Sequence, residues 1–131
     1  DMVAWYWKCA GIGVMGGLGS LARYGLTELV EHKVGKAFPY GTMSVNLLGC
    51  LLFGMVWASV GKGWITEEMK LVLLVGFLSG FTTFSSFSAE SLGLLQRGDL
   101  GLALLHSAAH LLGALACAAA GFALARWLLR G

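Results

Sequence analysis

The residues best suited to chemistry lie in the stretch Gly76-Phe77-Leu78-Ser79-Gly80-Phe81-Thr82-Thr83-Phe84-Ser85-Ser86-Phe87-Ser88, where two glycines, two threonines and four serines interrupt an apolar run. Glycine weakens a helix by about 1 kcal/mol relative to alanine. Hydroxyl side chains can bond the backbone groups freed at such a weak point. Broken helices at membrane depth are where unwound carbonyls and helix ends become ligands for ions. The pattern predicts a break over 76–83 and a helix resuming over 84–96. On that helix, three-and-four spacing sets Phe84, Phe87 and Ser91 on one face and Thr83, Ser86 and Glu90 on the next. Two rings beside a ladder of hydroxyls could line a pore. Equally, the rings could fill a helix interface and the hydroxyls bond back to the i−4 carbonyls.

Further polar groups stand inside apolar runs. Asn46 can both donate and accept, and Thr42 sits one turn before it on the same face. Asparagine also serves as glue between helices. Arg23 must snorkel, pair or face a watery cavity, with Glu28 and Glu31 near enough to be structural partners. His106 and His110 are one turn apart; that spacing could hold a metal, but no further Cys, Asp or Glu joins them, so cross-helix bonds or a polar path fit better. Cys9, Cys50 and Cys117 each sit alone, as small core thiols do, with no Cys-x-x-Cys pair.

The elements that must position these groups follow from composition. The chain has 131 residues, 57% of them hydrophobic and 12% charged, with a mean hydropathy of +0.76. Soluble domains carry about a quarter charged residues, so the expectation is an all-α membrane protein forming one domain over 1–131 in a lipid bilayer. Apolar spans cover about 3–29, 40–60, 69–95 and 100–129, and each can cross a hydrocarbon core, which takes about 20 helical residues. Four transmembrane helices joined by short loops are predicted, the third of them broken. No removable signal peptide is expected. In the first span, the step from Gly13 to Gly17 suggests a face for close helix packing; the fourth is rich in alanine and glycine. A net charge of +2, scattered along the chain, argues against nucleic acid.

Charge also bears on orientation. With four spans, Lys8, Lys62, Lys70, Arg126 and Arg130 fall on one side, and Arg23, Lys33, Lys36 and Arg97 on the other. Five against four leaves almost no positive-inside bias. A chain without that bias could insert both ways, which opens the way to an antiparallel dimer.

Three motifs carry a resemblance. Gly16-Gly17-x-Gly19-x-x-x-Arg23-Tyr24, Gly41-Thr42-x-x-Val45-Asn46-x-x-Gly49 and Gly76-Phe77-x-x-Gly80-x-Thr82-Thr83-Phe84-Ser85-x-Phe87-Ser88-x-Glu90 resemble the Fluc (CrcB-like) fluoride channels. The match covers three of the four helices in register. It departs at Ser79, where glycine is usual, and at Ser86, often threonine. The resemblance implies a dual-topology antiparallel homodimer in the bacterial inner membrane, with two fluoride pores. It also implies a Na⁺ at the dimer centre, held by backbone carbonyls that map to Ser79 and Thr82. By the same resemblance, Asn46 is a pore donor, and Phe84 and Phe87 are the rings along which fluoride passes. Thr42, Ser86 and Glu90 belong to the polar surroundings, Arg23 to the vestibule, and His106 and His110 to a fourth-helix track that varies in the family.

The physics of fluoride fits those roles. A small, strongly hydrated anion needs donors in place of water: amide, hydroxyl, or the positive edge of an aromatic ring. A strongly cationic wall would slow its release, and conduction needs exit as well as binding. The competing reading is a proton-coupled exporter similar to the small multidrug resistance transporters, which use a carboxylate embedded in the first helix. Here the first span has none before Glu28. A purely structural subunit leaves the polar break without purpose, and no convergent nucleophile, base and orienter suggests an enzyme.

Overall fold

The structure is a computed structural model describing residues 1–130. Helix α1 spans Met2–Val34 and α2 spans Tyr40–Gly61. A third rod follows in pieces: α3 (Glu67–Leu71), a π-helical segment (Val72–Leu78), α4 (Ser79–Phe81) and, beyond Thr82 and Thr83, α5 (Phe84–Gln96). Helix α6 (Leu100–Leu128) closes the described chain. Local chemistry sets several ends. The Asp1 carboxylate accepts from the Val3 N–H at 3.1 Å and the Thr66 hydroxyl from the Met69 N–H at 3.1 Å, each satisfying an orphan donor of a first turn. Gly63 and Gly98, at φ 75° and 79°, turn the chain sharply after α2 and α5.

Among the described residues, three helices are long and apolar enough to cross a membrane: Tyr40–Gly61, Glu67–Gln96 and Leu100–Leu128. Most of their surface faces outward from the chain, as suits lipid or a partner. Helix α1, at 33 residues, has the length, but its six glycines, with Lys8 and Arg23, dilute its apolar character. It falls short of the span expected over 3–29.

Small residues set the packing. A Cβ on Gly54 would run into the Ala118 carbonyl oxygen, and one on Gly121 into that of Leu51, so α2 and α6 touch backbone to backbone. Between α1 and the third rod, a Cβ on Gly19 would strike the Phe77 carbonyl oxygen, and one on Gly80 that of Gly16. The Gly13–Gly17 step is not this face. Both glycines meet nothing within 4 Å. Residues 12, 15, 16 and 19 share the buried stripe, and 13 and 17 lie one residue's rotation away from it.

The break is also narrower than 76–83. Gly76 and its neighbours remain helical, in wider π turns, with the Ser79 hydroxyl donating to the Leu74 carbonyl five residues back at 3.0 Å. Gly76 is held against Ile12 and Met15, so tertiary packing keeps this weak stretch wound. π turns of this kind recur at functional sites. Only Thr82 and Thr83 are extended.

Because a backbone carbonyl cannot step aside, Gly121→Ala should destabilise the protein by about 1–3 kcal/mol. Gly101→Ala, with open space around it, should not. Thermal unfolding in detergent, followed by circular dichroism, checks the pair.

Candidate functional site

The two extended residues set up everything around them. Thr82 sits at φ −80°, ψ 155° and Thr83 at φ −146°, ψ 108°. In an unbroken helix the Thr83 N–H would bond the Ser79 carbonyl. Instead it donates to Asn46 Oδ1 at 2.7 Å, while Asn46 Nδ2 donates to the Thr83 carbonyl at 3.0 Å. One carboxamide thus pairs with both backbone groups of Thr83. The Thr83 hydroxyl caps α5, accepting from the Ser86 N–H at 3.1 Å and donating to Ser86 Oγ at 2.9 Å. Thr82 turns its N–H and its hydroxyl back to the Leu78 carbonyl at 2.9 and 2.8 Å.

The interrupted ladder leaves carbonyls over. That of Gly80 accepts from Arg23 Nε at 3.2 Å. Arg23 therefore serves the break and not Glu28 or Glu31, which the sequence had offered as partners. Glu31 instead meets Lys36 at 3.2 Å, and the carboxylate holds that lysine's ammonium above its usual range. The carbonyls of Ser79 and Thr82 have no N–H partner among the described residues. Two such carbonyls suit a hard cation, which takes oxygen ligands.

A polar track runs toward the α2 N-terminus. The Thr42 hydroxyl donates to Glu90 Oε1 at 2.5 Å, and Glu90 Oε2 lies 3.4 Å from His106 Nε2. His106 is fully buried, with Phe38 edge-on to it at 5.5 Å. One turn on, His110 Nδ1 lies 3.1 Å from the His106 carbonyl oxygen. Phe87 packs against both imidazoles, its ring centroid 5.1 Å from His106 and 4.7 Å from His110. Phe84, whose ring centroid is 5.5 Å from that of Phe87, points outward and is 80% exposed.

A cavity of about 490 Å³ collects these groups: Asn46, Thr83, Phe84, Phe87 and His110 line it, with Cys50 and Ser107 beside them. The structure therefore gathers Asn46, Phe84, Phe87 and His110 at one cavity, and Ser86 lies behind its wall through Thr83. Thr42, Glu90 and His106 form an adjoining cluster. Ser79 stays in α4 with its hydroxyl turned away to Leu74. Sequence reasoning missed Cys50 and Ser107. Cys50 follows Asn46 by one turn and so shares its face, a usable signal; nothing in the small-residue pattern of α6 singles out Ser107.

Removing the carboxamide should unravel the break. Leaving a buried donor or acceptor unsatisfied costs about 1–3 kcal/mol. Asn46→Leu strands the Thr83 N–H and C=O together, so it should speed amide exchange at Thr83 and lower the melting temperature. Asn46→Asp, which still accepts from that N–H, should do so less. Hydrogen–deuterium exchange in detergent resolves the two.

Comparison with known proteins follows the same residues. The family described as CrcB-like protein, Camphor Resistance (CrcB), matches residues 10–122. A relative from Nitratidesulfovibrio vulgaris named fluoride-specific ion channel FluC is 48% identical over 104 residues, covering 78% of this chain and 84% of its own. A protein of the same name from Thermus thermophilus is 50% identical over 92 residues, 70% of this chain and 74% of its own. Another, from Nitrosococcus oceani, is 40% identical over 120 residues, 91% of this chain and 96% of its own. The matched region contains the break, the Asn46 clamp, the cavity and the Glu90–His106 cluster. By that match, this multi-pass membrane chain belongs to the CrcB-like family.

Proposed function

We propose that the chain is a fluoride-selective channel that lets toxic cytoplasmic fluoride leave passively and electrogenically. The observation that carries this is the cavity, open on the side of the exposed Phe84, where the Asn46 carboxamide, the rings of Phe84 and Phe87, and the hydroxyl-capped start of α5 meet. Its relatives named fluoride-specific channels support the choice of ion. Amide N–H groups and ring edges are the donors a dehydrated fluoride needs, and neither binds it so tightly that it cannot leave. The Asn46 amide spends one N–H on the Thr83 carbonyl and has a second to offer.

The working unit is an antiparallel homodimer with two pores in the bacterial inner membrane, each subunit crossing four times with α1 as the least apolar span. Three features support it. Basic residues are divided five to four between the two ends, which favours neither orientation. Phe84, 80% exposed, would be covered by a second copy. The Ser79 and Thr82 carbonyls alone are too few to replace a cation's water, whereas two copies would bring four to a central Na⁺. Bound there, Na⁺ supplies fixed positive potential beside an anion path. Because the ligands are backbone oxygens, serine at position 79 leaves the set unchanged.

Fluoride efflux from liposomes, with valinomycin carrying K⁺, tests the reading. Fluoride should leave rapidly and chloride should not. The flux should stall without valinomycin and ignore a proton gradient. Release that needs a proton gradient and ignores valinomycin would instead mark a proton-coupled exporter, with Glu90 as its carboxylate. Phe84→Ile, which removes the ring edge, should slow the flux by about tenfold, or about 1.4 kcal/mol of barrier. Asn46→Ala, which also loses both bonds to Thr83, should slow it further. Both variants conducting normally would remove these residues from the pore. Exchange of Na⁺ for a bulky organic cation should abolish conduction if the carbonyl site is as proposed.

A further inference from the structure

We infer that the cavity at the C-terminal end of α2 seats the headgroup of an anionic phospholipid, whose phosphate is held by Lys62, Lys70 and Arg126. Such a seat needs only a chain that lies in a bilayer, and it is independent of the ion the chain conducts.

The tryptophans fix the depth of this cavity. The chain has five, Trp5, Trp7, Trp57, Trp64 and Trp127, and each is at least 49% exposed. All belong to one end of the bundle: the start of α1, the end of α2, the turn after it and the end of α6. Lys8 of α1 borders the same hollow as Glu67 and Lys70 of α3, so the start of α1 lies beside the start of the third rod. Tryptophan collects where hydrocarbon meets headgroups. Past the close contact of Gly54 with Ala118, a cavity of about 510 Å³ opens at this end between α2, α3 and α6. Trp57, Ala58 and Phe122 give it an apolar lining, which suits the glycerol and upper acyl region of a lipid.

Three cations converge on it: Lys62 at the C-cap of α2, Lys70 of α3 and Arg126 in the last turn of α6. Among the described residues, no aspartate or glutamate lines it. Two of the cationic heads lie against lining rings. Lys70 Nζ is 4.5 Å from the Trp57 ring centroid, and Arg126 Cζ is 5.7 Å from that of Phe122. Glu67, 3.3 Å from Lys70 Nζ, offsets one charge from outside the cavity. Neither Lys62 nor Arg126 has a carboxylate partner among the described residues. Complementing a helix C-terminus accounts for those two singly. It does not account for their meeting Lys70, from the start of the third rod, around one opening. A guanidinium fork with two ammonium groups beside it matches a phosphate, and basic pockets between membrane helices at headgroup depth take anionic lipid heads. A zwitterionic choline lipid fits less well: its cation would meet three others, and Lys70 already covers the Trp57 ring that a choline would seek.

Native mass spectrometry of the full chain from a nonionic detergent tests the site, with phosphatidylglycerol and phosphatidylcholine of the same acyl chains as probes. Wild type should retain phosphatidylglycerol about tenfold more tightly. Lys62→Gln with Arg126→Gln should bring the two lipids close to parity. Lys8→Gln with Arg130→Gln removes the same charge from the same end but outside the cavity, and should keep most of the preference. No preference in wild type overturns the site. Equal loss in both double variants also overturns it, and assigns the preference to the general charge of that end. A ligand of the native state raises the melting temperature, so thermal unfolding in the same detergent separates a lipid from a free anion. Phosphatidylglycerol should raise it, and inorganic phosphate at the same concentration should not; an equal rise with phosphate gives the cavity to a soluble anion and overturns the lipid. If the first double variant fails to fold, Lys62→Gln alone decides. Its side chain is exposed, and its loss should cost about threefold in phosphatidylglycerol binding; an unchanged preference overturns the site.

Discussion

The two hydrogen bonds between the Asn46 carboxamide and the backbone of Thr83 are the constraint on which the rest depends. A gap in a helix exposes polar backbone, and inside a membrane each unsatisfied group costs several kcal/mol. Asn46 meets that cost on both sides of one residue, as a neighbouring strand would. With Thr83 held extended, its hydroxyl is free to cap α5, which in turn aims Phe87 at the histidines of α6. The same diversion of the Thr83 N–H strips the Ser79 carbonyl of its helical donor. One side chain thus opens the helix, starts the next one and leaves oxygen ligands behind.

Much of this was legible in local pattern. Hydropathy and punctuation located α2, the third rod and α6 closely but ended the first helix short of Val34, and the clustering of glycine and hydroxyls pointed to the third rod as the irregular one. Three-and-four spacing paired Phe84 with Phe87 and Thr83 with Ser86, and the structure brings each pair together. What local pattern could not reach were the partners. Asn46 and Thr83 are 37 residues apart, and Arg23 and Gly80 are 57 apart. No periodicity links such pairs; they meet only because α1 and α2 both pack against the third rod.

The misreadings share one physical cause. Propensity treats a glycine as a weakness in its own helix, whereas here several glycines are accommodations for a neighbour. Gly76 lies within a wound π segment because Ile12 and Met15 press against it. Gly16 and Gly19 form the contact of α1 where the spacing of Gly13 and Gly17 had suggested one, since the sequence alone does not say which stripe of a glycine-rich helix meets its partner. For Arg23 the sequence left snorkelling, pairing and a watery cavity open, with Glu28 and Glu31 near; a carbonyl freed by the break is the acceptor it finds.

The contact between α2 and α6 carries a kinetic consequence. At Gly54 and Gly121 the two backbones interlock like the teeth of a zip, each helix offering the other a carbonyl where no methyl fits. Sliding by one residue would drive a side chain into that oxygen, so the pair has a single register. Mechanisms that ratchet one helix past its neighbour once per turnover are closed to it. Ions must then move through a wall that stays still, and the pace of transport belongs to small things: a ring tilting, a hydroxyl rotating.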